Sequence, residues 1–321
     1  MMSAEKRYLG LMRAKVLSYS FIALSLIYGS TVVFADQYFD IEIQVAFDTK
    51  LWALLVGIIF GSWFLRYLRW NYLLSQLGHH HSFVRGFVIY LSGFAYSATP
   101  GKGGELVRLR YLSRLGVSGG EVLAAFLYER SLDLLIVLFL ACLAFLNHEL
   151  FYLSTLFVIV VVGLIVIIII IASRLSGSMG EQLLPIASIT ARIRHGLSEC
   201  GSYIKDLAKL NVLFASISLG LAAWFLVAIS FVLLLDGMKV VLPMNVGLSA
   251  YPLSMLSGAA SMLPGGVGAT EASLAFILTQ NGVFFSQALT AAIAIRLLTL
   301  WSAIAVGILC VAGLELYNKK I

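Results

Sequence analysis

Residues 97–133, SATPGKGGELVRLRYLSRLGVSGGEVLAAFLYERSLD, and residues 261–299, SMLPGGVGATEASLAFILTQNGVFFSQALTAAIAIRLLT, decide how the rest of the chain is read. Both open on Ser-x-x-Pro-Gly and place a glutamate after a glycine-rich break. In both, an arginine follows that glutamate at one interval, since Glu105 to Arg130 and Glu271 to Arg296 are each 25 residues. Pro-Gly pairs alone carry little weight in a chain with 28 glycines. Breakers, acid and arginine recurring in the same order point to an internal repeat.

The surroundings of the repeat are apolar. Of 321 residues, 60% are hydrophobic and 12% charged, against about 25% charged in soluble domains. This composition excludes a soluble enzyme or a nucleic-acid-binding domain and makes the chain an all-α polytopic membrane protein. The longest stretch outside the apolar runs, about 174–209, is shorter than the roughly 50 residues an independent domain needs. A single membrane domain over 1–321 is therefore expected. Cys142, Cys200 and Cys310 suggest no pairing. The basic start MMSAEKRYLGLMRAK precedes an apolar run with no small-residue cleavage site in position, which reads as an uncleaved anchor starting in the cytoplasm.

Charge fixes the expected path. Full spans are read at 16–35, 51–68, 121–146, 150–172, 210–235 and 286–314. Residues 83–99 are too short and too glycine-interrupted to cross. If they did, Lys102, Arg108, Arg110 and Arg114 would lie outside, against the positive-inside bias. A re-entrant hairpin at 83–114 returns them to the cytoplasm, and a second hairpin at 247–281 enters from the other face. Of the 22 Lys plus Arg, Lys50 and Lys239 then fall outside and Arg130 and Arg296 fall within apolar runs, which leaves 18 in cytoplasmic segments. The reading is about six full transmembrane helices plus two re-entrant broken-helix hairpins in an inverted repeat, one half at about 51–172 and the other at about 210–321. Between them, 180–209 has the apolar spacing of an interfacial cytoplasmic helix. Both termini are placed in the cytoplasm, and the multi-pass chain in the cell (inner or plasma) membrane. Trp63, Arg66, Tyr67, Arg69 and Trp70 read as an interfacial belt. His79, His80 and His81 read as a polar loop, since consecutive residues do not converge on a metal.

Broken half-helices from inverted repeats are the architecture of alternating-access transporters. The break exposes backbone N–H groups that favour an anion: Lys102, Gly103 and Gly104 in the first copy, Gly266 and Gly268 in the second. An arginine within a span is costly, about 2.5–3.5 kcal/mol on insertion scales, so Arg130 and Arg296 need partners or a wet cavity. Glu105 with Arg130 and Glu271 with Arg296 are the expected pairs, open to competition from a lipid phosphate. Glu129 and Asp133 give Arg130 further partners on its own helix. These eleven residues are the candidate substrate site. No metal site, cofactor or phosphate-binding nucleotide loop is expected.

At these motifs the sequence resembles the transmembrane region of lysylphosphatidylglycerol synthases, a flippase-like membrane family. The residues that carry the resemblance are Pro100-Gly101-Lys102-Gly103-Gly104-Glu105, Leu127-Tyr128-Glu129-Arg130-Ser131-Leu132-Asp133, Pro264-Gly265-Gly266-Val267-Gly268 with Glu271, and Arg296-Leu297-Leu298-Thr299. Lys102 departs from the family's glycine. The resemblance implies movement of a lipid between leaflets, with the substrate in different members ranging from aminoacylated phosphatidylglycerol to other amphipathic lipids. The expectation for this chain is an anionic or zwitterionic lipid: a phospholipid, a polyprenyl-phosphate lipid or another amphipathic lipid. Bifunctional members add a soluble aminoacyltransferase domain not seen in this sequence, so synthase activity is not carried over and a transporter rather than an enzyme is expected. A membrane-embedded transferase using a lipid-phosphate donor, and a non-catalytic membrane subunit of a lipid-modifying system, remain as alternatives.

Overall fold

The computed structural model describes residues 49–145 and 202–319. The spans read at 16–35 and 150–172, and most of the interfacial helix at 180–209, lie outside the described residues. Among those described there is no strand. Helix α1 covers Thr49–Gln76 and α5 covers Leu210–Gly237, each of 28 residues. At about 1.5 Å rise per residue, both exceed the ~30 Å hydrocarbon core. A third apolar segment of spanning length, Phe285–Leu316, holds α8 (Phe285–Arg296), a π turn (Leu297–Trp301) and most of α9 (Ser302–Lys319). Helix α4, Gly119–Cys142, is nearly as long and starts at a capping box. Ser118 Oγ accepts from the Glu121 amide and the Glu121 carboxylate accepts from the Ser118 amide.

The repeated stretches break where proline and glycine require it. Helix α2, Phe83–Ser92, has ten residues, half a hydrocarbon core in length. A tight turn at Gly93–Tyr96 follows it, then a 3-10 segment at Pro100–Val107 and the short α3, Arg108–Leu112. Thr99, before Pro100, is extended as a pre-proline residue must be. In the second copy, α6 (Met244–Ala260) ends before the Pro264–Gly266 turn, and α7 (Ala269–Gln280) follows. Gly265 and Gly266 sit at φ +62° and +65°, a conformation that side chains disfavour.

Packing is reciprocal. Helices α1 and α5 lie along each other, and Ser62 Oγ donates to the Ala223 carbonyl at 2.9 Å. The entering arm of the first break, α2 and its turn, packs on α9, whereas the entering arm of the second, α6, packs on α4. Each arm thus leans on the long helix of the opposite copy. The turns themselves meet, since a Cβ on Gly265 would stand 3.4 Å from Ala98 Cα. Outer faces are apolar as well: Leu54, Phe139, Phe214 and Leu309 are more than half exposed, as lipid-facing side chains are.

The closest backbone approach is at Gly307 on α9, where a Cβ would fall 2.1 Å from the Ala95 amide nitrogen and 2.7 Å from the Phe94 carbonyl carbon. Backbone cannot rotate aside as a side-chain tip can. We therefore expect Gly307→Ala to cost about 1–3 kcal/mol, read as a lower melting temperature in detergent. An unchanged melt would mean that α9 and the first turn slide apart freely.

The belt expected at an interface is instead interior. Trp63, Tyr67 and Trp70 are buried, and with them Arg66 and Arg69. Three of the 18 cations counted as cytoplasmic, Arg66, Arg69 and Arg108, are in fact drawn inside. The cause is the buried carboxylates that they neutralise, Glu129 and Asp133 on α4 for Arg66 and Arg69, and Glu105 in the first break for Arg108. The histidine loop has a structural role at its first member, His79 Nε2 lying 2.9 Å from Glu121 Oε2.

Candidate functional site

The motif on α4 places two carboxylates, Glu129 and Asp133, one turn apart on the buried face, with Arg130 beside them. One arginine cannot neutralise two buried acids, and α1 and α3 bring the remainder. Arg69, fully buried, donates to Asp133 Oδ1 at 2.7 Å and Glu129 Oε1 at 2.9 Å. Arg66 stands 3.4 Å from Asp133 Oδ2. Arg130 stands 3.2 Å from Asp133 Oδ2 and 3.4 Å from Glu129 Oε2. Trp224 Nε1 donates to Asp133 and Tyr90 Oη to Glu129. Room for Arg69 comes from Gly220, where a Cβ would lie 2.4 Å from its Nη1.

Glu105, in the first break, accepts from Arg108 Nη2 at 2.5 Å and from Ser97 Oγ at 3.0 Å. The expected Glu105–Arg130 pair is thus replaced by Glu105–Arg108, because Arg108 lies one turn on while Arg130 has acids on its own helix. Arg108 is sandwiched by aromatics, its guanidinium carbon 4.6 Å from the Trp70 ring and 4.4 Å from Tyr90. This network sets four guanidiniums, of Arg66, Arg69, Arg108 and Arg130, against the carboxylates of Glu105, Glu129 and Asp133.

The second copy is simpler. Arg296 Nε donates to Glu271 Oε1 at 3.0 Å, the pair expected from spacing, and its Nη2 donates to the Gly265 carbonyl at 2.5 Å. The other carboxylate oxygen of Glu271 accepts from the Gly268 amide at 2.8 Å, so one side chain both caps α7 and holds Arg296. Thr299, in the π turn, donates to Ile295 and accepts from Tyr251 Oη.

Both groups open onto one cavity of about 210 Å³ between the two breaks. A single water needs only ~10–15 Å³ on that measure, so a solvated head group fits. Arg66, Glu105 and Arg130 line it together with Arg296. Of the glycines expected to cradle a ligand, Gly266 is on the wall, while Gly103, Gly104 and Gly268 are not among its lining residues. Gly104 serves the break itself, its amide donating to Thr99 Oγ1. Lys102 is in the Pro100–Val107 segment, but its side chain lies outside what the structure describes.

Sequence reasoning missed Arg66, Arg69, Arg108 and Trp224. A signal for the first three was present: Leu127–Asp133 carries two acids and one arginine in an apolar run, so further cations had to come from elsewhere. A family profile described as Lysylphosphatidylglycerol synthase TM region matches residues 22–307. No curated protein and no solved structure matches the chain.

Proposed function

The chain belongs to the lysylphosphatidylglycerol synthase TM region family, and from that premise we propose that it moves an anionic or zwitterionic lipid between the leaflets of the cell membrane. The family makes it an integral membrane protein associated with lipid metabolism or transport. The observation that carries the transport reading is the cavity. It lies between two proline-glycine breaks, its wall is mostly apolar, and its charges are three arginines and one glutamate. Each break arm is supported by the opposite copy, the relation two inverted halves have when they rock about a shared site. In this reading the breaks are re-entrant, the head group crosses through the cavity and the acyl chains stay in lipid. Glu105, Glu129, Asp133 and Glu271 are all in ion pairs, which favours a transporter over a transferase that would need a free base.

The test is fluorescent phospholipid in proteoliposomes, bleached from outside with dithionite. Protein is expected to expose inner-leaflet label far faster than protein-free vesicles do. No acceleration over empty vesicles would end the transport reading. Topology has its own check, because Ser113 follows the first break and is exposed. Ser113→Cys is expected to resist an impermeant thiol reagent applied to intact cells and to react after permeabilisation. Labelling in intact cells would mean that 83–99 crosses fully.

A further inference from the structure

We propose that the cavity selects its lipid by the sign of the head group, taking a phosphate without an added cation and rejecting an aminoacylated head group. The proposal rests on the transport reading for the location of the site and adds the substrate class.

Three observations carry it. The first is the charge balance. Among the described side chains, Arg66, Arg69, Arg108, Arg130 and Arg296 face Glu105, Glu129, Asp133 and Glu271, one more cation than acid, and the cavity wall itself carries three arginines and one glutamate.

The second is the pairing of the carboxylates. Asp133 serves Arg69 and Trp224, Glu105 serves Arg108 and Ser97, and Glu271 serves Arg296 and the Gly268 amide. Glu129 Oε1 serves Arg69 and Tyr90, while its Oε2 has no hydrogen bond but stands 3.4 Å from Arg130, and Glu129 is not on the cavity wall. Among the described residues, an ammonium entering the cavity would meet three guanidiniums and one carboxylate, Glu105, already paired with Arg108. Two of the aromatic faces that could hold a cation are already taken. On the cavity wall, Trp224 is already covered by Arg66 at 4.5 Å and Tyr90 by Arg108 at 4.4 Å.

The third is a set of donors without partners. Arg130 Nε is buried with no hydrogen bond, as is the Oγ1 of Thr270, and both residues line the cavity. Phosphate oxygens or glycerol hydroxyls match these groups, and an ammonium matches only the hydroxyl.

The experiment uses the full chain in neutral detergent with brominated phosphatidylglycerol, phosphatidylcholine and lysyl-phosphatidylglycerol of the same acyl chains. Binding is read as quenching of tryptophan fluorescence, since Trp63 and Trp224 line the cavity. Affinity is expected to fall in that order, by about tenfold or more from the anionic to the cationic lipid, as like-charge juxtaposition requires. Free glycerol 3-phosphate should compete and lysine amide should not, a comparison that needs no variant. Arg130→Gln should flatten the order where it folds. Equal or tighter binding of the lysyl lipid, or competition by lysine amide, overturns the proposal. The same lipids in proteoliposomes separate the two readings. Movement without charge order sinks the selectivity and leaves transport, whereas charge order in binding without movement does the reverse.

Discussion

Asp133→Asn removes about 3–5 kcal/mol of stability, enough to leave little folded protein in detergent. The substitution keeps size and an acceptor for Trp224, so only charge changes. Asp133 is where Arg66, Arg69 and Arg130 converge, at 3.4, 2.7 and 3.2 Å. Without it, four buried guanidiniums face two carboxylates. Breaking a buried pair from one side strands a charge, which is costlier than never having had the pair. Removing a cation as well should therefore help. Arg66, whose only carboxylate contact among the described residues is Asp133, is the one to remove, and Asp133→Asn with Arg66→Gln should regain most of the loss. Survival on size exclusion after heating provides the measurement. If Asp133→Asn melts within about 1 kcal/mol of the parent, the cluster is wet and weakly coupled.

Arg296→Gln and Glu271→Gln should each destabilise by several kcal/mol for the same reason, Arg296 being 1% and Glu271 7% exposed. The double variant should fold. Its transport then distinguishes a structural pair from a substrate contact. We expect a folded double variant that no longer moves lipid, because Arg296 is the cation that the second break contributes to the cavity wall. A well-folded double variant that moves lipid at the parent rate would remove Arg296 from the substrate site. Glu271→Gln costs an additional increment by weakening the cap of α7, which Arg296→Gln spares.

Much of this was legible in the sequence because proline, glycine and charge act locally. The breaks at Pro100 and Pro264, the pair of Glu271 with Arg296, and the long helices at 49–76, 210–237 and 285–316 follow from spacing and apolarity. Partner choice across the fold did not. Arg66 and Arg69 sit among aromatics near the end of an apolar run, a pattern shared by an interfacial belt and a buried cluster. Only the position of α4 beside α1 decides between them. Glu105 likewise could have met Arg108, one turn away, or Arg130 across the break, and the turn geometry selected the nearer. The spacing that repeats with Glu and Arg is thus met by direct contact in the second copy alone.

The support of the first break by α9 bears on how the protein is made. Tyr111 Oη and Arg110 reach Glu315 across separations of 204 and 205 residues, and Gly307 closes on the backbone of Ala95 from the same helix. A ribosome that has just released the first break has not yet synthesised the surface it docks on. Until that helix arrives, the first turn lacks the surface on which it packs. Completion of the chain, not local folding, is the event that closes it, so a protein interrupted before residue 307 is an insertion intermediate for quality-control proteases to recognise.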